Sequence, residues 1–338
     1  MNVLVTGGTG YIGSHTVVSL LENNHQVIVL DNLSNSSVDV IDRIHKICGK
    51  ELIFYQGDVR DFALLQDIFS KHNIDAVMHF AGLKSVSESI NNPIEYYENN
   101  VSGSLSLIKA MKEAGVFTLI FSSTATVYGN PATLPIHENM PTGNTSNPYG
   151  TSKYIVERIL QDVAASDKRL SVVILRYFNP IGAHTSALIG ELPNGIPNNL
   201  LPYICQVAMG KLQQLSVFGD DYPTADGSGV RDYIHVMDLA DGHILAMNKH
   251  HQDSGVFIYN LGTGRGYSVF EIIKAFERVN KVKIPYCVTD RRAGDVAVCY
   301  ADALYANQKL QWQTRFNLDD MLKDAWRWQQ NLAREKSQ

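Results

Sequence analysis

A tyrosine and a lysine in the middle of the chain have the types and the spacing that proton-transfer chemistry requires. Tyr149 and Lys153 lie four residues apart in "SNPYGTSKYIVE", so a helix would place both side chains on one face. Ser146 or Asn147 can cap that helix, and Pro148 suits its first position. A nearby ammonium stabilises a phenolate, although lowering a phenol pKa from about 10 to about 7 requires roughly 4 kcal/mol. The alternative is a surface tyrosine packed on a lysine stem.

A glycine-rich stretch near the start has the spacing of a phosphate-binding loop. In "TGGTGYIGSH" (Thr6–His15), Gly7, Gly10 and Gly13 recur every three residues, directly after an apolar run. One glycine permits a tight turn, the next lets backbone N–H groups approach a pyrophosphate, and the third allows close helix–strand packing. Its position between a strand and a helix predicts dinucleotide binding.

Acidic residues at the ends of later apolar runs indicate which dinucleotide binds. Asp31 ends the second run, where a carboxylate accepts hydrogen bonds from the ribose hydroxyls and repels a 2′-phosphate. We therefore expect NAD rather than NADP, with a helix cap or turn residue as the alternative. Asp58 is placed to approach the adenine, and "FAGLK" (80–84) ends the fourth run beside the cofactor. Strand-end packing is the alternative for Phe80 and Ala81.

Composition limits the class of protein. The chain has 338 residues, of which 45% are hydrophobic and 19% charged, as in ordinary globular proteins. A net charge of −5 disfavours nucleic acid and anionic membranes as partners. The four cysteines have no metal-ligand spacing, so we expect reduced thiols and no metal. No secretory leader or membrane-spanning run is recognised, and we expect a cytoplasmic protein.

The elements that must position these residues alternate in the first half of the chain. Consecutive apolar positions predict buried parallel strands at Asn2–Thr6, Gln26–Leu30, Leu52–Asp58, Asp75–Gly82, Phe117–Ser123 and Leu170–Phe178. The intervening helices are expected at Tyr11–Asn23, Val38–Cys48, Phe62–Lys71, Ile94–Gly115 and Pro148–Ser166. In the helix before the last, Leu105, Ile108 and Met111 are expected to face the core. This alternation predicts an α/β fold with a doubly wound parallel sheet.

After Phe178 the chain becomes rich in proline and glycine. Shorter elements are expected there, namely helices at Asn198–Met209, Val236–Lys249, Ser268–Val279 and Leu318–Asn331 and a strand at Leu215–Phe218. We expect a nucleotide-binding domain at 1–178 and a smaller substrate lobe at 179–338, with some chain crossing between them. The polar tail "AREKSQ" is expected to fray.

The order of these motifs identifies a family resemblance. With "FSSTATVYG" (Phe121–Gly129) between the phosphate loop and Tyr149, the chain resembles the extended short-chain dehydrogenase/reductases. Within that family it is similar over its whole length to the UDP-glucose (UDP-galactose) 4-epimerases. The motifs include "HFAGLKSVSES", "YYENNVSGSL", "LRYFNPIGAH", "GIPNNLLPYI", "FGDDYPTADGSGVRDYIHVMDLADGH" and "RRAGD". The resemblance implies a Rossmann sheet with a smaller C-terminal α/β lobe, NAD as cofactor, a UDP-sugar substrate and a homodimer through helices 94–115 and 148–166.

The resemblance also assigns roles residue by residue. Thr124, Tyr149 and Lys153 match the catalytic positions, and Thr124 keeps the hydroxyl of the serine that many members have there. Positions for NAD are matched by Gly7, Gly10, Tyr11, Ile12, Gly13, Asp31, Asn32, Asn35, Asp58, Val59, Phe80, Ala81, Gly82, Lys84, Asn99, Tyr149, Lys153 and Phe178. Positions for the UDP-sugar are matched by Lys84, Thr124, Tyr149, Asn179, Asn199, Leu200, Val217, Phe218, Arg231, Arg292, Asp295 and Cys299.

The implied reaction inverts a carbinol carbon whose C–H bond is not acidic. Tyr149 takes the O4 proton while hydride passes from C4 to NAD⁺, and the resulting 4-ketose turns over and is reduced on its other face. Lys153 binds the nicotinamide ribose and lowers the Tyr149 pKa, with the oxidised nicotinamide as a second positive charge. The cofactor is regenerated in each cycle, so it should stay tightly bound.

Two arginines and one cysteine bear on the substrate. Arg231 and Arg292 could bind a diphosphate bidentately, or Arg292 could pair at the surface with Asp290 or Asp295. Cys299 stands where some epimerases have tyrosine and others a small residue, so we expect room for the N-acetyl group of UDP-N-acetylglucosamine and UDP-N-acetylgalactosamine. The alternative is that Cys299 is only a small buried hydrophobe.

Other readings of the motifs remain open. His235 and Asp238 are expected to organise a turn and a helix start, and His79 to be a core histidine with its hydrogen bonds satisfied. A nucleotide-sugar 4,6-dehydratase would need an acidic pair after Thr124, where Ala125 and Thr126 stand instead. A non-catalytic NAD-binding scaffold is the alternative from another class, but such proteins usually lose the tyrosine or the lysine.

Overall fold

Strands and helices alternate along the chain, and the computed structural model describes residues 1–193, 195, 197–292 and 294–335. The strands are β1 Asn2–Thr6, β2 Gln26–Asp31, β3 Ile53–Gln56, β4 Ala76–His79, β5 Thr118–Thr124, β6 Ser171–Tyr177, β7 Asn179–Ile181, β8 Leu215–Phe218, β9 Val230–His235, β10 Gly255–Leu261, β11 Gly266–Ser268, β12 Tyr286–Thr289 and β13 Val298–Cys299. The α-helices are α1 Tyr11–Glu22, α2 Asp39–Cys48, α3 Phe62–Lys71, α4 Val86–Asn91, α5 Pro93–Tyr97, α6 Gly103–Ala114, α7 Pro148–Ser166, α8 Leu200–Ala208, α9 Val236–His250, α10 Val269–Asn280, α11 Leu304–Leu310 and α12 Leu318–Glu335.

The first six strands form one parallel sheet together with β10. Its order is β10-β6-β5-β4-β1-β2-β3, so the order reverses beside β1, where β4 pairs with it on one side and β2 on the other. In such sheets the crevice at the carboxyl ends of the strands, at the reversal point, is the ligand-binding edge. The predicted doubly wound α/β fold is confirmed.

Helices cover both faces of the sheet, which is why its strands are apolar at consecutive positions. On one face, Val17 of α1, Ile44 of α2 and Met247 of α9 are buried in a common core. On the other face, Leu65 of α3 and Leu107 of α6 belong to a second core, together with residues of α7. Both cores hold the strand ends rigidly at the ligand-binding edge.

The seventh strand comes from beyond position 178. β10 pairs in parallel with β6 from Gly255 to Leu261, and α9 before it packs on the sheet. The sequence analysis predicted α9 but not β10, because the short run "GVFIYNL" follows a proline- and glycine-rich region and has no strand-like neighbour in sequence.

A second group of elements forms the smaller lobe. β9 pairs with β7, β11 and β13, and β8 pairs with β12. Helices α8, α10 and α12 bury Ile204, Phe276 and Trp326 in a separate core. The strand β8 matches the prediction residue for residue, whereas β7, β9, β11, β12, β13 and α11 were not predicted because each is short or lacks a regular apolar pattern.

The predicted helix 94–115 is interrupted. α5 and α6 are joined by a π-helical turn at Glu98–Ser102, and such turns often occur at functional sites. The predicted core stripe is also wrong at Leu105, which is 46% exposed, whereas Ile108 and Met111 are buried. The buried side of α6 follows Ser104, Leu107, Ile108 and Met111, so Leu105 projects from the opposite side.

The C-terminal helix is longer than predicted. α12 continues to Glu335, whose carboxylate pairs with Arg43 at 2.5 Å. Fraying of "AREKSQ" is therefore wrong as far as Glu335, and the last three residues of that stretch lie outside the described residues. The other predicted bounds differ from the observed ones by only a few residues, as expected at element ends.

Candidate active site

Helix α7 brings Tyr149 and Lys153 alongside the end of β5. Asn147 caps the helix, because its side-chain oxygen accepts a hydrogen bond from a first-turn N–H at 2.9 Å. Lys153 Nζ donates to the carbonyl oxygen of Ser122 at 2.8 Å. Tyr149 lies beside Thr124, whose hydroxyl favours ionisation of the phenol. The three predicted catalytic residues therefore lie at one junction of helix and strand.

Burial shifts the pKa values of Tyr149 and Lys153 toward their uncharged forms. Burial raises the pKa of Tyr149 to about 12, and the Thr124 hydroxyl opposes that rise only in part. Burial lowers the pKa of Lys153 to about 8, against the attraction of the Glu157 carboxylate. The Lys153 ammonium lies 4.9 Å from the centre of the Phe121 ring and bonds a β5 carbonyl. In the polypeptide alone burial dominates the Tyr149 pKa, so a base here needs further positive charge, and the lowering of this pKa by Lys153 beside a bound cofactor stays a prediction.

The glycine loop between β1 and α1 has the shape of a pyrophosphate cradle. Gly7 has φ +72°, and a Cβ there would lie 2.6 Å from the Ala81 nitrogen. A Cβ on Gly13 would lie 2.1 Å from the Gly7 oxygen. Gly10 is the N-cap of α1 and has no side chain that could cap the helix. The backbone N–H groups of the first turn therefore have no side-chain acceptor at the N-cap. This chain therefore fits a dinucleotide at the helix N-terminus.

Asp31 lies at the carboxyl end of β2 and is only 8% exposed. One carboxylate oxygen accepts a hydrogen bond from the Thr9 N–H at 3.1 Å, and the other from the Leu33 N–H and the Ser36 hydroxyl at 2.9 and 3.1 Å. The turn-organising role that was the alternative is thus observed. Each carboxylate oxygen can accept more than one bond, so a ribose can still be bound here.

Asp58 lies at the next strand end along the same edge. Arg60 donates to its two carboxylate oxygens, each at 2.8 Å, and Asn32 donates at 3.0 Å. These hydrogen bonds, led by those of Arg60, hold the pKa of Asp58 well below its usual range despite partial burial. Val59 beside it is buried. Asp58 and Arg60 therefore form an ion pair at this edge of the sheet, and the Asp58 carboxylate stays ionised.

The remaining residues predicted for NAD fall into two groups. One group lines the crevice at the ends of β2, β3 and β4 and at the π-helical turn, outside the cavity described next: Asn32, Asn35, Asp58, Val59, Phe80, Ala81, Gly82 and Asn99. The other group reaches that cavity: Tyr11, Ile12, Lys84 and Phe178. Crevice and cavity meet at the first turn of α1.

A cavity of about 350 Å³ lies between the sheet edge and the smaller lobe. Every residue predicted for the UDP-sugar lines it: Lys84, Thr124, Tyr149, Asn179, Asn199, Leu200, Val217, Phe218, Arg231, Arg292, Asp295 and Cys299. The cavity thus joins the proton-transfer residues of α7 and β5 to the arginines of the smaller lobe.

Two arginines on the cavity wall share one carboxylate. Arg292 lies 3.1 Å from Asp295, and Arg231 lies 3.7 Å from it. Arg292 also lies 5.2 Å from the centre of the Phe218 ring. The ion pairing of Arg292 with Asp295 that was the alternative is therefore present, but it faces the cavity. Two guanidiniums that both reach the Asp295 carboxylate can also bind a polyanion, either in place of that carboxylate or together with it.

Sequence reasoning missed several residues of the cavity wall, of which Glu191 and Tyr177 have polar contacts that bear on the site. Glu191 accepts hydrogen bonds from Lys84 at 2.8 Å and from Asn199 at 3.2 Å. Tyr177 is buried and hydrogen-bonds His243. Glu191 lies in a proline- and glycine-rich loop without periodicity, so only a motif match could have found it. Tyr177 precedes Phe178 in "LRYFNP", and that adjacency was the available signal.

His235, Asp238 and His79 have the structural roles that were expected of them. The His235 ring accepts a hydrogen bond from the Met237 N–H at 3.0 Å as the cap of α9. Asp238 accepts bonds from the backbone N–H groups of residues 315 and 316. His79 bonds Thr6 and a second hydroxyl at 2.7 and 3.0 Å. None of these three groups lines the cavity.

The described residues have neither a candidate metal cluster nor a membrane-spanning helix. They contain no group of three or more His, Cys, Asp or Glu side chains arranged to hold a metal ion. No helix in the same part of the chain combines the length and the apolar character needed to cross a membrane.

Comparison with known proteins agrees with this geometry. A model of the NAD dependent epimerase/dehydratase family matches residues 3–262. The UDP-glucose 4-epimerase of Pasteurella multocida (strain Pm70) is 61% identical over 329 residues, which cover 97% of each chain. The crystal structure of UDP-glucose 4-epimerase from Bifidobacterium longum in complex with NAD⁺ and UDP is 53% identical, with a TM-score of 0.96 over 98% of both chains. A UDP-glucose 4-epimerase from Stenotrophomonas maltophila with bound NAD and formylated UDP-arabinopyranose is 51% identical, with a TM-score of 0.97 over 99% of both chains. The chain therefore belongs to the NAD dependent epimerase/dehydratase family.

Proposed function

We propose that the chain is an NAD-dependent UDP-hexose 4-epimerase that interconverts UDP-glucose and UDP-galactose. The observation that carries this function is the single cavity that joins Tyr149, Thr124 and two arginines beside the glycine loop. The identity of more than half of all residues to UDP-glucose 4-epimerases over nearly the full chain supports it.

The residues of the chain divide the work of inverting C4. When bound, oxidised NAD supplies the hydride acceptor and donor and a positive charge that lowers the phenol pKa. Tyr149 removes the proton from O4 and later returns it, and Thr124 orients both the phenol and the sugar oxygen. Lys153 holds the nicotinamide ribose. A positioned acid–base group of this kind contributes about 10²–10⁴-fold to the rate.

We assign each residue predicted to bind NAD to one part of the cofactor. The loop of Gly7, Gly10 and Gly13 with Tyr11 and Ile12 holds the pyrophosphate. Asp31, Asn32 and Asn35 bind the adenosine ribose, and Asp58 and Val59 lie at the adenine. The nicotinamide half is bound by Phe80, Ala81, Gly82, Lys84, Asn99, Tyr149, Lys153 and Phe178. The close backbone contacts at Gly7 and Gly13 support the binding of the pyrophosphate by this loop.

The UDP-sugar is held by the smaller lobe. Arg231 and Arg292 bind the diphosphate with Asp295 between them, so the nucleotide is anchored while the hexose turns over. The hexose lies among Lys84, Thr124, Tyr149, Asn179 and Cys299, and the nucleoside among Asn199, Leu200, Val217, Phe218 and Asp295. On this assignment residues 1–178 bind NAD and contribute Lys84, Thr124 and Tyr149 to the hexose site, residues 179–338 bind the rest of the UDP-sugar, and α9 and β10 cross into the larger domain.

The substrate range extends to UDP-N-acetylglucosamine and UDP-N-acetylgalactosamine. Cys299 lies in β13, beside Arg231 of β9 in register, and lines the cavity. A cysteine at this position leaves more room for an acetamido group than a tyrosine would. This small wall residue supports the wider range.

The chain acts as a cytoplasmic homodimer. Ile94 is 72% exposed and Leu105 46% exposed, near each other in sequence along α5 and α6, and neighbouring exposed apolar side chains mark interaction surfaces. Light scattering should give twice the chain mass of 37.6 kDa. Ile94→Asp with Leu105→Lys should give the chain mass, whereas Ile53→Asp, at another exposed position, should leave the dimer. A wild-type monomer contradicts the assignment.

One assay separates this function from its alternatives. Purified protein is incubated with UDP-galactose, and the products are resolved by NMR. An epimerase yields UDP-glucose, a dehydratase yields a 4-keto-6-deoxy sugar, and a non-catalytic scaffold yields nothing. In the same preparation, denaturation should release NAD⁺ or NADH. Release of mainly NADP would overturn the role of Asp31.

A further inference from the structure

Three polar side chains of helix α7 lie at the end of β5, and two of them belong to the proposed chemistry. Tyr149 lies beside Thr124, Lys153 donates to the Ser122 carbonyl, and Glu157 accepts the Ser123 hydroxyl at 2.5 Å. Residues 149, 153 and 157 are four apart and therefore share one helical face. The third contact fixes the register between the helix and the end of the strand.

Glu157 is held on its other side by a buried arginine. Arg176 Nε lies 3.0 Å from one oxygen of the Glu157 carboxylate, and its Nη2 lies 2.6 Å from the other. The two residues are 2% and 1% exposed. Arg176 stands opposite Ser123 in the pairing of β6 with β5 and donates to the Tyr128 hydroxyl at 2.8 Å. Ser123 of β5, Arg176 of β6 and Glu157 of α7 thus form one hydrogen-bonded cluster, in which the two charged groups are shielded from solvent. Ser123 itself lines the cavity.

We propose that the Glu157–Arg176 pair positions the catalytic junction and keeps a negative charge one helical turn from Lys153, so that Lys153 remains an ammonium. The proposal rests on the proposed function for its kinetic consequence, although the charge effect on Lys153 can be measured without catalysis. Glu157 is a positioning residue here, because it touches Ser123 and Arg176 and does not line the cavity.

Glu157 is the group that acts on the charge of Lys153 at neutral pH. Helix α7 packs against β5 and also against β6, whose charged group here is Arg176, bonded to the Glu157 carboxylate. From β4, His79 is uncharged because burial, with a smaller contribution from Lys153, lowers its pKa to about 3. On α7, Tyr149 is uncharged because burial raises its pKa to about 12. Glu157 favours the ammonium, and burial opposes it.

The direct test is a titration of Lys153 by NMR of protein labelled with ¹³C at the lysine Cε. Lys153→Met identifies the signal by its absence. In Glu157→Gln the Lys153 midpoint should fall by about one pH unit, as expected when an opposite charge nearby is lost. Asp162→Asn is the matched control, since Asp162 is an exposed carboxylate on the same helix. It should leave the midpoint unchanged.

The kinetic test uses the pH profile of kcat with UDP-galactose. Activity that needs the ammonium is lost as pH rises through the Lys153 pKa, so Glu157→Gln should move the alkaline limb to lower pH. A fall of one unit from a midpoint near 8 reduces the ammonium fraction at pH 8 about fivefold. A structural role alone would lower kcat at all pH values without moving the limb.

The outcomes are distinguishable. An unchanged Lys153 midpoint in folded Glu157→Gln overturns the proposal. If that variant does not fold because Arg176 is left unpaired, Glu157→Gln with Arg176→Gln replaces it, and the midpoint should still fall, because Glu157 favours the Lys153 ammonium and Arg176 has no such effect on Lys153. An unchanged midpoint in the double variant overturns the proposal as well. A wild-type protein without epimerase activity would sink the proposed function, and the NMR titration would still decide the effect of Glu157 on Lys153.

Discussion

Tyr149 is half-buried in the cavity wall, and its burial makes the phenol harder to ionise. Tyr149→Phe removes the only atom that can carry the O4 proton from this side chain and leaves the ring in place. We expect turnover of UDP-galactose to fall by about 10²–10⁴-fold, while NAD retention and UDP affinity measured by calorimetry stay unchanged. Tyr154→Phe on the same helix lies outside the cavity and should remain active. An equally active Tyr149→Phe protein would refute the mechanism.

Cys299 is a wall residue rather than a reactive thiol, because burial raises its pKa to about 11. Cys299→Tyr adds a large ring to the cavity, and surplus atoms in a filled pocket cost about 1–3 kcal/mol, or roughly 10–150-fold. We expect kcat/KM for UDP-N-acetylglucosamine to fall by that factor, with UDP-glucose much less affected. Cys299→Ser should keep both activities. Equal loss on both substrates, or a wild type inactive on the N-acetylated sugar, would contradict the gating role.

At the scale of elements, the β1–loop–α1 unit depends on backbone approach. Gly13→Ala places a methyl group 2.1 Å from the Gly7 oxygen, so we expect a loss of stability of about 1–3 kcal/mol and loss of the nucleotide that copurifies. Gly115→Ala is the control. Gly115 has φ +72° and open space around it, so strain costs about 1–2 kcal/mol and the nucleotide should remain. Normal nucleotide content in Gly13→Ala would show that the cradle does not hold the pyrophosphate.

At the scale of the whole molecule, three buried histidines make stability depend on pH. Burial lowers the pKa of His15 and His79 to about 3 and that of His243 to about 4. Their folded pKa values lie below the unfolded value of about 6.5, so the unfolded chain gains protons first as pH falls. Stability is full above about 6.5 and declines toward the folded values, by about 2 kcal/mol per histidine between pH 7.5 and 5.

Urea unfolding at pH 7.5 and 5.0 measures this decline. His79→Gln should reduce the loss of unfolding free energy between these two pH values by about 2 kcal/mol, the contribution of one buried histidine. His137→Gln, at an exposed position, should leave that loss unchanged. A wild-type unfolding free energy equal at the two pH values would contradict the burial of these rings in neutral form.

Much of the fold and the cavity wall was determined by local sequence pattern. Runs such as Asn2–Thr6 are apolar at consecutive positions, which only a strand covered on both faces satisfies. Parallel strands all end at one edge, so residues following them, such as Asp31, Asp58 and Phe80, must meet there whatever the loops do. The cavity residues of the smaller lobe were reached only through motif resemblance, because their elements are short.

Tertiary structure decided the features that depend on contacts between distant residues. β10 becomes the seventh strand because β6 offers it an edge, and Lys84 meets Glu191 across 107 residues. The Tyr149 pKa rises because burial outweighs the effect of the Thr124 hydroxyl, and burial is a sum over surrounding atoms that no spacing of two residues contains. The Glu157–Arg176 pair follows from strand register between β5 and β6, which is set by the packing of the whole sheet.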